Sequence, residues 1–513
     1  MAETADVVET VKQGYAFEGA AIELGALLAG DEPKPEAAVR IPLSMVNRHG
    51  LVAGATGTGK TKTLQLMAEQ LSAAGVSVFA ADIKGDLSGI SQPGQESEKL
   101  LARTKTIGQE WTATGFPTEF YALGGQGAGV PIRATITSFG PVLLSKVLGL
   151  NDVQESSLGL IFHYADKHGL TLLDLKDLRA VITHLTSDEG KADLKDLGGL
   201  SAATAGVILR SLIGFADQGA EAFFGETEFD TADLMQQRDG KGVISLLELP
   251  NLQDRPALFS TFLMWLLADL FDDLPEVGDV DKPKLVFFFD EAHLLFNDAS
   301  KAFLDSIAQT VRLIRSKGVG VFFVTQTPKD VPDAVLAQLG SRVQHQLRAH
   351  TPNDAKALKA TVSTFPSSSY DLAEVLTQLG IGEAVVTVMN EKGAPTPVAW
   401  TRLRAPQSLM APASAEQLAA SVQASPNNAK YTEVIDRESA YEKLAAKVQA
   451  GAERAEAEQQ TEGQAKPEPK PRAQKQEKSM VEQVVGSSAF KQFARSAGRE
   501  IVRGLFGAAR RKR

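Results

Sequence analysis

Eight consecutive residues, Gly54-Ala55-Thr56-Gly57-Thr58-Gly59-Lys60-Thr61, match the phosphate-loop pattern G-x-x-x-x-G-K-[ST] in full. The chemistry of such a loop begins with its backbone. Glycines let several N–H groups converge on one anion, and the helix that follows points its positive end at the same place. Lys60 then neutralises the β and γ phosphates, and the Thr61 hydroxyl is available to Mg2+. Gly54 through Lys62 are accordingly expected to bind ATP, with Mg2+ as the companion ion.

A phosphate loop works with a second, acidic centre, and Asp290-Glu291 supplies it after the apolar run Leu285-Val286-Phe287-Phe288-Phe289. Asp290 is expected to hold Mg2+ through water, sharing the ion with Thr61, and Glu291 to orient and deprotonate the attacking water. His293 is open to two readings, a packing group beside the acids or a phosphate sensor. Gln326 stands at the tip of Val321-Phe322-Phe323-Val324-Thr325, where an amide can touch both the γ-phosphate and the water; a plain turn before Pro328 is the alternative. Arg312 and Arg315 end the preceding helix, where a cation either caps the helix dipole or reaches a neighbouring subunit's nucleotide as an arginine finger.

Positioning these groups takes several strand ends on one edge, and the chain has the pattern for it. From about Ile41 to Leu403, short β-branched or Phe-rich runs alternate with longer helical stretches, as in a parallel sheet covered by helices. The expected strands are Gly50–Ala53, Val76–Asp82, Gly242–Leu249, Leu285–Asp290, Gly320–Thr325, Val343–Leu347 and Ala384–Met389, with the continuously apolar ones central. Strand signals stop between Thr135 and Asp233. There Leu158, Ile161, Phe162 and Ala165, and later Val207, Leu209, Leu212 and Ile213, follow helical spacing. The expected organisation is a lead-in over 1–40, an α/β P-loop core over 41–134 and 234–405, and an all-helical insertion over 135–233. A low-complexity, partly disordered linker over 406–478 follows, with room for one helix near Glu438–Arg454, and then a basic amphipathic helix over 479–513.

Composition narrows the function further. At 513 residues with 43% hydrophobic and 23% charged side chains, most of the chain is expected to fold. The absence of cysteine excludes disulfides, thiolate metal sites and a catalytic thiol. An acidic N-terminus without an apolar stretch argues against export, and a cytoplasmic location is expected. The apolar stretch around Ala257–Ala268 is well short of the roughly 20 residues needed to span a bilayer, so no transmembrane segment is expected. The net charge of −10 is unevenly spread: Lys470–Arg513 holds 12 basic residues against 3 acidic, a net of +9, which leaves −19 on residues 1–469. In that tail Lys491, Arg495, Arg499 and Arg503 form a basic stripe beside the apolar Phe490, Ala494, Ala497, Ile501 and Leu505. Such a helix either stays solvated or contacts nucleic acid, a protein or an anionic membrane.

Three segments together resemble the FtsK–HerA superfamily, and most of all the bacterial HerA-like helicases of undetermined biological role. They are Asn47-Arg48-His49-Gly50-Leu51-Val52-Ala53 running into the phosphate loop, Asp290-Glu291-Ala292-His293, and Gly318 through Thr325-Gln326-Thr327-Pro328. The likeness spans roughly residues 40–405. It implies a RecA-like core, hydrolysis of ATP, a homo-hexameric ring, and double-stranded DNA as the track. It also implies that the arginine ending the helix before the glutamine strand acts in trans, a place held by Arg315, eleven residues before Gln326. HerA proper carries a β-barrel ahead of its core for docking a nuclease, whereas about 40 residues precede the core here, so a nuclease partner is not expected. The acidic body and the missing barrel leave a second reading open: an ATP-driven assembly or remodelling protein acting on a protein partner.

Overall fold

The computed structural model describes residues 2–194, 198–249, 256–297, 299, 301–433, 435 and 437–450. The basic helix expected over 479–513 and the KPEPKPR stretch lie outside the described residues. The described residues divide into two compact units: one within 1–134 and 218–434, and one within 135–217 and 435–450.

The first unit is organised by one sheet. Its strands are β1 (Ala21–Ala29), β2 (Glu32–Pro42), β3 (Gly50–Ala53), β4 (Ser77–Asp82), β5 (Thr118–Leu123) and β6 (Val130–Ile132). After the small hairpin β7 (Gln237–Arg238) and β8 (Lys241–Gly242) come β9 (Ile244–Glu248), β10 (Leu285–Phe289), β11 (Val319–Thr325), β12 (Ser341–Gln344), β13 (Glu383–Thr387) and β14 (Ala399–Leu403). The spatial order is β2-β1-β14-β13-β12-β3-β11-β10-β4-β9-β5-β6. From β12 to β6 the strands run parallel. The wing from β13 to β2 is antiparallel. Every residue of β10 and β11 is buried, the signature of strands covered on both faces. On one face Val52, Val286, Phe288, Phe322 and Val324 pack in one core with Leu64, Met67 and Leu71 of the helix that leaves the phosphate loop.

Two parts of this unit differ from the sequence reading. The 1–40 stretch is more than a lead-in: after α1 (Ala2–Gly14), β1 and β2 pair with each other and β1 pairs with β14, so the hairpin extends the sheet. Pro33 and Pro35 mask β2 in the sequence, and they are tolerated because β2 is an edge strand with no further neighbour to bond. The beginning of the expected linker is likewise fastened down. Trp111 Nε1 donates to the Pro406 carbonyl (2.6 Å) and Gln109 Nε2 to that of Ala405 (2.7 Å). The helices Ala415–Ala424 and Pro426–Thr432 follow, the second ending near a fully buried Tyr431. Its Ala, Gln and Ser composition reads as linker because its apolar anchors are few, Leu418 and Val422 against the core and the buried Tyr431, and the rest are polar hydrogen bonds.

In the second unit, helices run over Ile136–Val147, Asp152–Lys167, Leu175–Leu185, Asp188–Asp193 and Ala202–Asp217. The first is kinked at Gly140, where φ is 72° and Pro141 follows. Asn151 with Gln154, and Asp174 with Asp177, form capping boxes that start the next two helices. In the last helix the inward face is Ala205, Ile208, Leu212 and Phe215, a 3-4-3 spacing, while Ile213 is 47% exposed on the outer side. The helical insertion ends at Asp217, earlier than the expected 233, and Phe223, Phe224, Phe229 and Leu234 are buried in the stretch that belongs to the first unit.

Candidate active site at the carboxyl edge of the sheet

The parallel register decides which sequence-predicted residues meet. Thr325 pairs with Ala53 and Phe289 with Phe323, so β3, β11 and β10 end side by side. With neighbouring strands about 4.8 Å apart, the phosphate loop after β3, Gln326 after β11 and Asp290-Glu291 after β10 form one row.

Gly54, Gly57 and Gly59 take φ values of 157°, 83° and 113°, a backbone open to glycine and strained for other residues. The loop is braced from behind: Gly54 N–H donates to the Thr325 carbonyl (3.2 Å), Ala55 N–H to that of Gln346 (2.8 Å), and Gly382 N–H to that of Thr58 (3.2 Å). The helix α2 (Lys60–Ala73) starts from Gly59 without a side-chain cap, so its first N–H groups face the loop. Lys60 is buried, and its Nζ donates to the carbonyls of Gly54 (2.7 Å) and Ala55 (3.2 Å). Burial lowers its pKa, against the attraction of Glu291 and Asp290. Thr61 is half-buried on the same turn, and Lys62 Nζ donates to Gln65 Oε1 at 3.1 Å.

Asp290 and Glu291 are 2% and 6% exposed. Burial, then the charge of Glu291, pushes the Asp290 carboxyl up to about 7. Its Oδ1 accepts the Glu291 N–H at 2.9 Å, while its buried Oδ2 makes no hydrogen bond. Glu291 has φ 46°, unusual for a residue with a side chain, and its Oε2 lies 3.2 Å from His293 Nδ1. Gln326 is exposed, and the turn behind it is ordered by Asp330, which accepts Thr325 Oγ1–H (2.6 Å) and Thr327 N–H (2.9 Å). Among the described residues no cluster of three or more His, Asp or Glu side chains would enclose a metal. Mg2+ at a nucleotide takes one or two protein oxygens and completes its shell with phosphate and water. The unpartnered Asp290 Oδ2 and the half-buried Thr61 fit that role.

Arg315 and Arg312 are not brought to this row. Arg315 opens the turn before β11 and faces Asp279 at 3.6 Å, and Arg312 is exposed one turn earlier. A seven-residue strand separates Arg315 from Gln326, roughly 20 Å at about 3.3 Å per residue.

Sequence reasoning missed three groups on the same edge. Lys84 Nζ is ion-paired with Glu291 Oε1. Asp82 ends β4, fully buried, and Glu248 ends β9 in register with it. Burial pushes the two carboxyls up to about 6 and about 8. The signal was present: Val76–Asp82 and Gly242–Glu248 are apolar runs ending in an acid, as Leu285–Asp290 is.

The sheet order with the phosphate loop, acidic pair and glutamine on three adjacent strands is that of the RecA-type P-loop fold, and it recurs in known proteins. The helicase HerA-like C-terminal family matches residues 28–513. The chain belongs to that family. It is 23% identical over 378 residues to the DNA double-strand break repair helicase HerA of Sulfurisphaera tokodaii, covering 72% of this chain and 67% of that protein. A probable helicase of Methanocaldococcus jannaschii, MJECL08, is 31% identical over 153 residues, 28% of each chain. Among solved structures, the plasmid coupling protein TrwB in complex with ADP and Mg2+ aligns with a TM-score of 0.53 at 17% identity, over 78% of this chain and 93% of that one. The unbound monoclinic form of TrwB gives 0.51 at 16% identity, over 79% and 93%. At these identities the likeness to TrwB concerns the fold. No helix among the described residues is long and apolar enough to cross a membrane.

Proposed function

We propose that this HerA-like protein hydrolyses ATP to ADP and phosphate and uses the energy, as a hexameric ring, to move along double-stranded DNA. The observation that carries the reading is the row of Gly54–Thr61, Gln326 and Asp290-Glu291 on adjacent strand ends. In it, the loop N–H groups and Lys60 hold the β and γ phosphates, and Gln326 orients water against the terminal phosphorus. The water oxygen bonds to phosphorus as its proton passes to Glu291 and the bond to the β-phosphate oxygen breaks, releasing ADP. Thr61 and Asp290 would hold Mg2+, which when bound neutralises charge on the phosphates. Arg315, far from its own loop, is assigned to the nucleotide of the neighbouring subunit. The DNA track is carried over from the activity named for the HerA relatives.

One experiment tests the reading: ATP hydrolysis measured with and without double-stranded DNA over a salt series. Stimulation that falls steeply with salt is expected, because phosphate contacts release counterions. The body's net charge of −19 over residues 1–469 favours a second reading, remodelling of a protein partner. Hydrolysis with neither stimulation nor DNA retention at low salt would select it.

A further inference from the structure

Lys84 lies in the turn after β4, and its place is set from below. The buried Asp82 carboxylate accepts the N–H groups of Gly85 (2.7 Å), Asp86 (3.3 Å) and Leu87 (2.8 Å), folding the turn over the strand end. From there Lys84 Nζ reaches across to Glu291 Oε1 on the neighbouring strand. The two partners differ in freedom: the Lys84 side chain is 42% exposed, and that of Glu291 is 8% exposed. Lys60 stands on the other flank: its helix leaves the loop after β3, on the side of β10 away from β4, and its charge is felt by both acids. Two ammonium groups therefore flank Asp290 and Glu291, Lys84 beyond β4 and Lys60 beyond β3.

This arrangement has a consequence for a group bound between the two cations. An ammonium on a flexible stem has three donors and no preferred acceptor. A terminal phosphate carries close to twice the charge of a carboxylate, and attraction scales with charge at equal distance. A nucleoside diphosphate on the same loop ends one phosphate short.

We propose that Lys84 is a second phosphate-binding cation that exchanges partners, moving its hydrogen bond from Glu291 to the terminal phosphate of a bound nucleoside triphosphate. The exchange leaves the Glu291 carboxylate able to take the proton from water only when a γ-phosphate is there to be attacked. The inference rests on the ATPase reading and adds to it a reason why the base is held until substrate arrives.

The test measures affinities of the full chain, with Mg2+, for a non-hydrolysable ATP analogue and for ADP. Lys84→Met is expected to weaken the analogue about 10-fold, the loss of one charge-assisted hydrogen bond, and to leave ADP within about 2-fold. Unchanged ADP affinity also reports an intact loop. Lys84→Arg should recover most of the discrimination, since it keeps the charge. Glu291→Gln removes the competing acceptor and should tighten the analogue several-fold, a gain that disappears in the Lys84→Met, Glu291→Gln double variant. Equal weakening of both nucleotides in Lys84→Met, or the same Glu291→Gln gain with and without Lys84, overturns the proposal. A parent chain that binds neither nucleotide overturns the ATPase reading and this inference with it. A parent that binds both, with no discrimination lost in Lys84→Met, overturns this inference alone.

Discussion

Gly54 and His345 are in such close contact that a Cβ built on the glycine would lie 2.4 Å from the His345 Cβ and 3.1 Å from its Cα. The phosphate loop thus leans on the residue just beyond β12, and His345 Nε2 lies 2.9 Å from Thr63 Oγ1 on α2. Gly54→Ala is expected to push the loop off that support. The overpacking should cost about 1–3 kcal/mol and abolish nucleotide binding, read by denaturant unfolding and by titration with a fluorescent ATP analogue.

Arg315→Ala should leave nucleotide affinity near that of the parent and lower the hydrolysis rate by about 10³-fold or more, the range for a missing in-trans arginine. Mixing it with Glu291→Gln should restore part of the rate, because some interfaces then combine an intact arginine with an intact base. A monomer by light scattering with ATP present, still fully active, would sink the assignment.

Glu248 gives a pH test. Burial, with Asp82 and Asp86 adding to it, raises its carboxyl from 4.5 to about 8, so the folded chain keeps a proton that the unfolded chain releases. The associated stability is complete below pH 4.5 and is lost as pH rises through about 8. Glu248→Gln removes this dependence. Relative to the parent, its melting temperature should be higher at pH 9 than at pH 5.5, by an amount equivalent to a few kcal/mol at most. Equal pH slopes for the two proteins would count against a buried neutral Glu248.

The buried Glu69 of α2 accepts Gln407 N–H (2.8 Å), Ser408 N–H (3.0 Å) and the Ser408 hydroxyl. Gln65, one turn earlier, donates to Ser408 Oγ (2.6 Å) and to the Leu409 carbonyl (2.9 Å). Glu69→Ala strands three donors and should cost about 2–4 kcal/mol in chemical denaturation. A change under 0.5 kcal/mol would mean that water replaces the carboxylate.

The phosphate loop, the acidic pair and the central strands were legible because each announces itself locally, by a motif or by an unbroken apolar run such as Leu285–Phe289. What stayed hidden depends on distant partners. Lys84 has no local mark; it matters because β4 lies beside β10 and brings it to Glu291. The hairpin β1–β2 carries two prolines that argue against a strand until its edge position is known. Residues 405–409 have no periodicity, since the side chains of Gln65, Glu69, Gln109 and Trp111 fix their backbone through hydrogen bonds.

Those bonds between α2 and residues 407–409 also say something about the order of events during synthesis. The helix that presents Lys60 is made early, yet the groups that satisfy Glu69 and Gln65 lie 338–344 positions further along. A chain emerging from the ribosome therefore carries a helix with a carboxylate and an amide lacking their native partners until nearly all of the first unit has been made. Closing contacts of such long range is slow. The helix that carries Lys60 thus gains these bonds late, and a chain cut short before Ser408 would hold every residue of the phosphate loop and the acidic pair without the strap that fastens that helix.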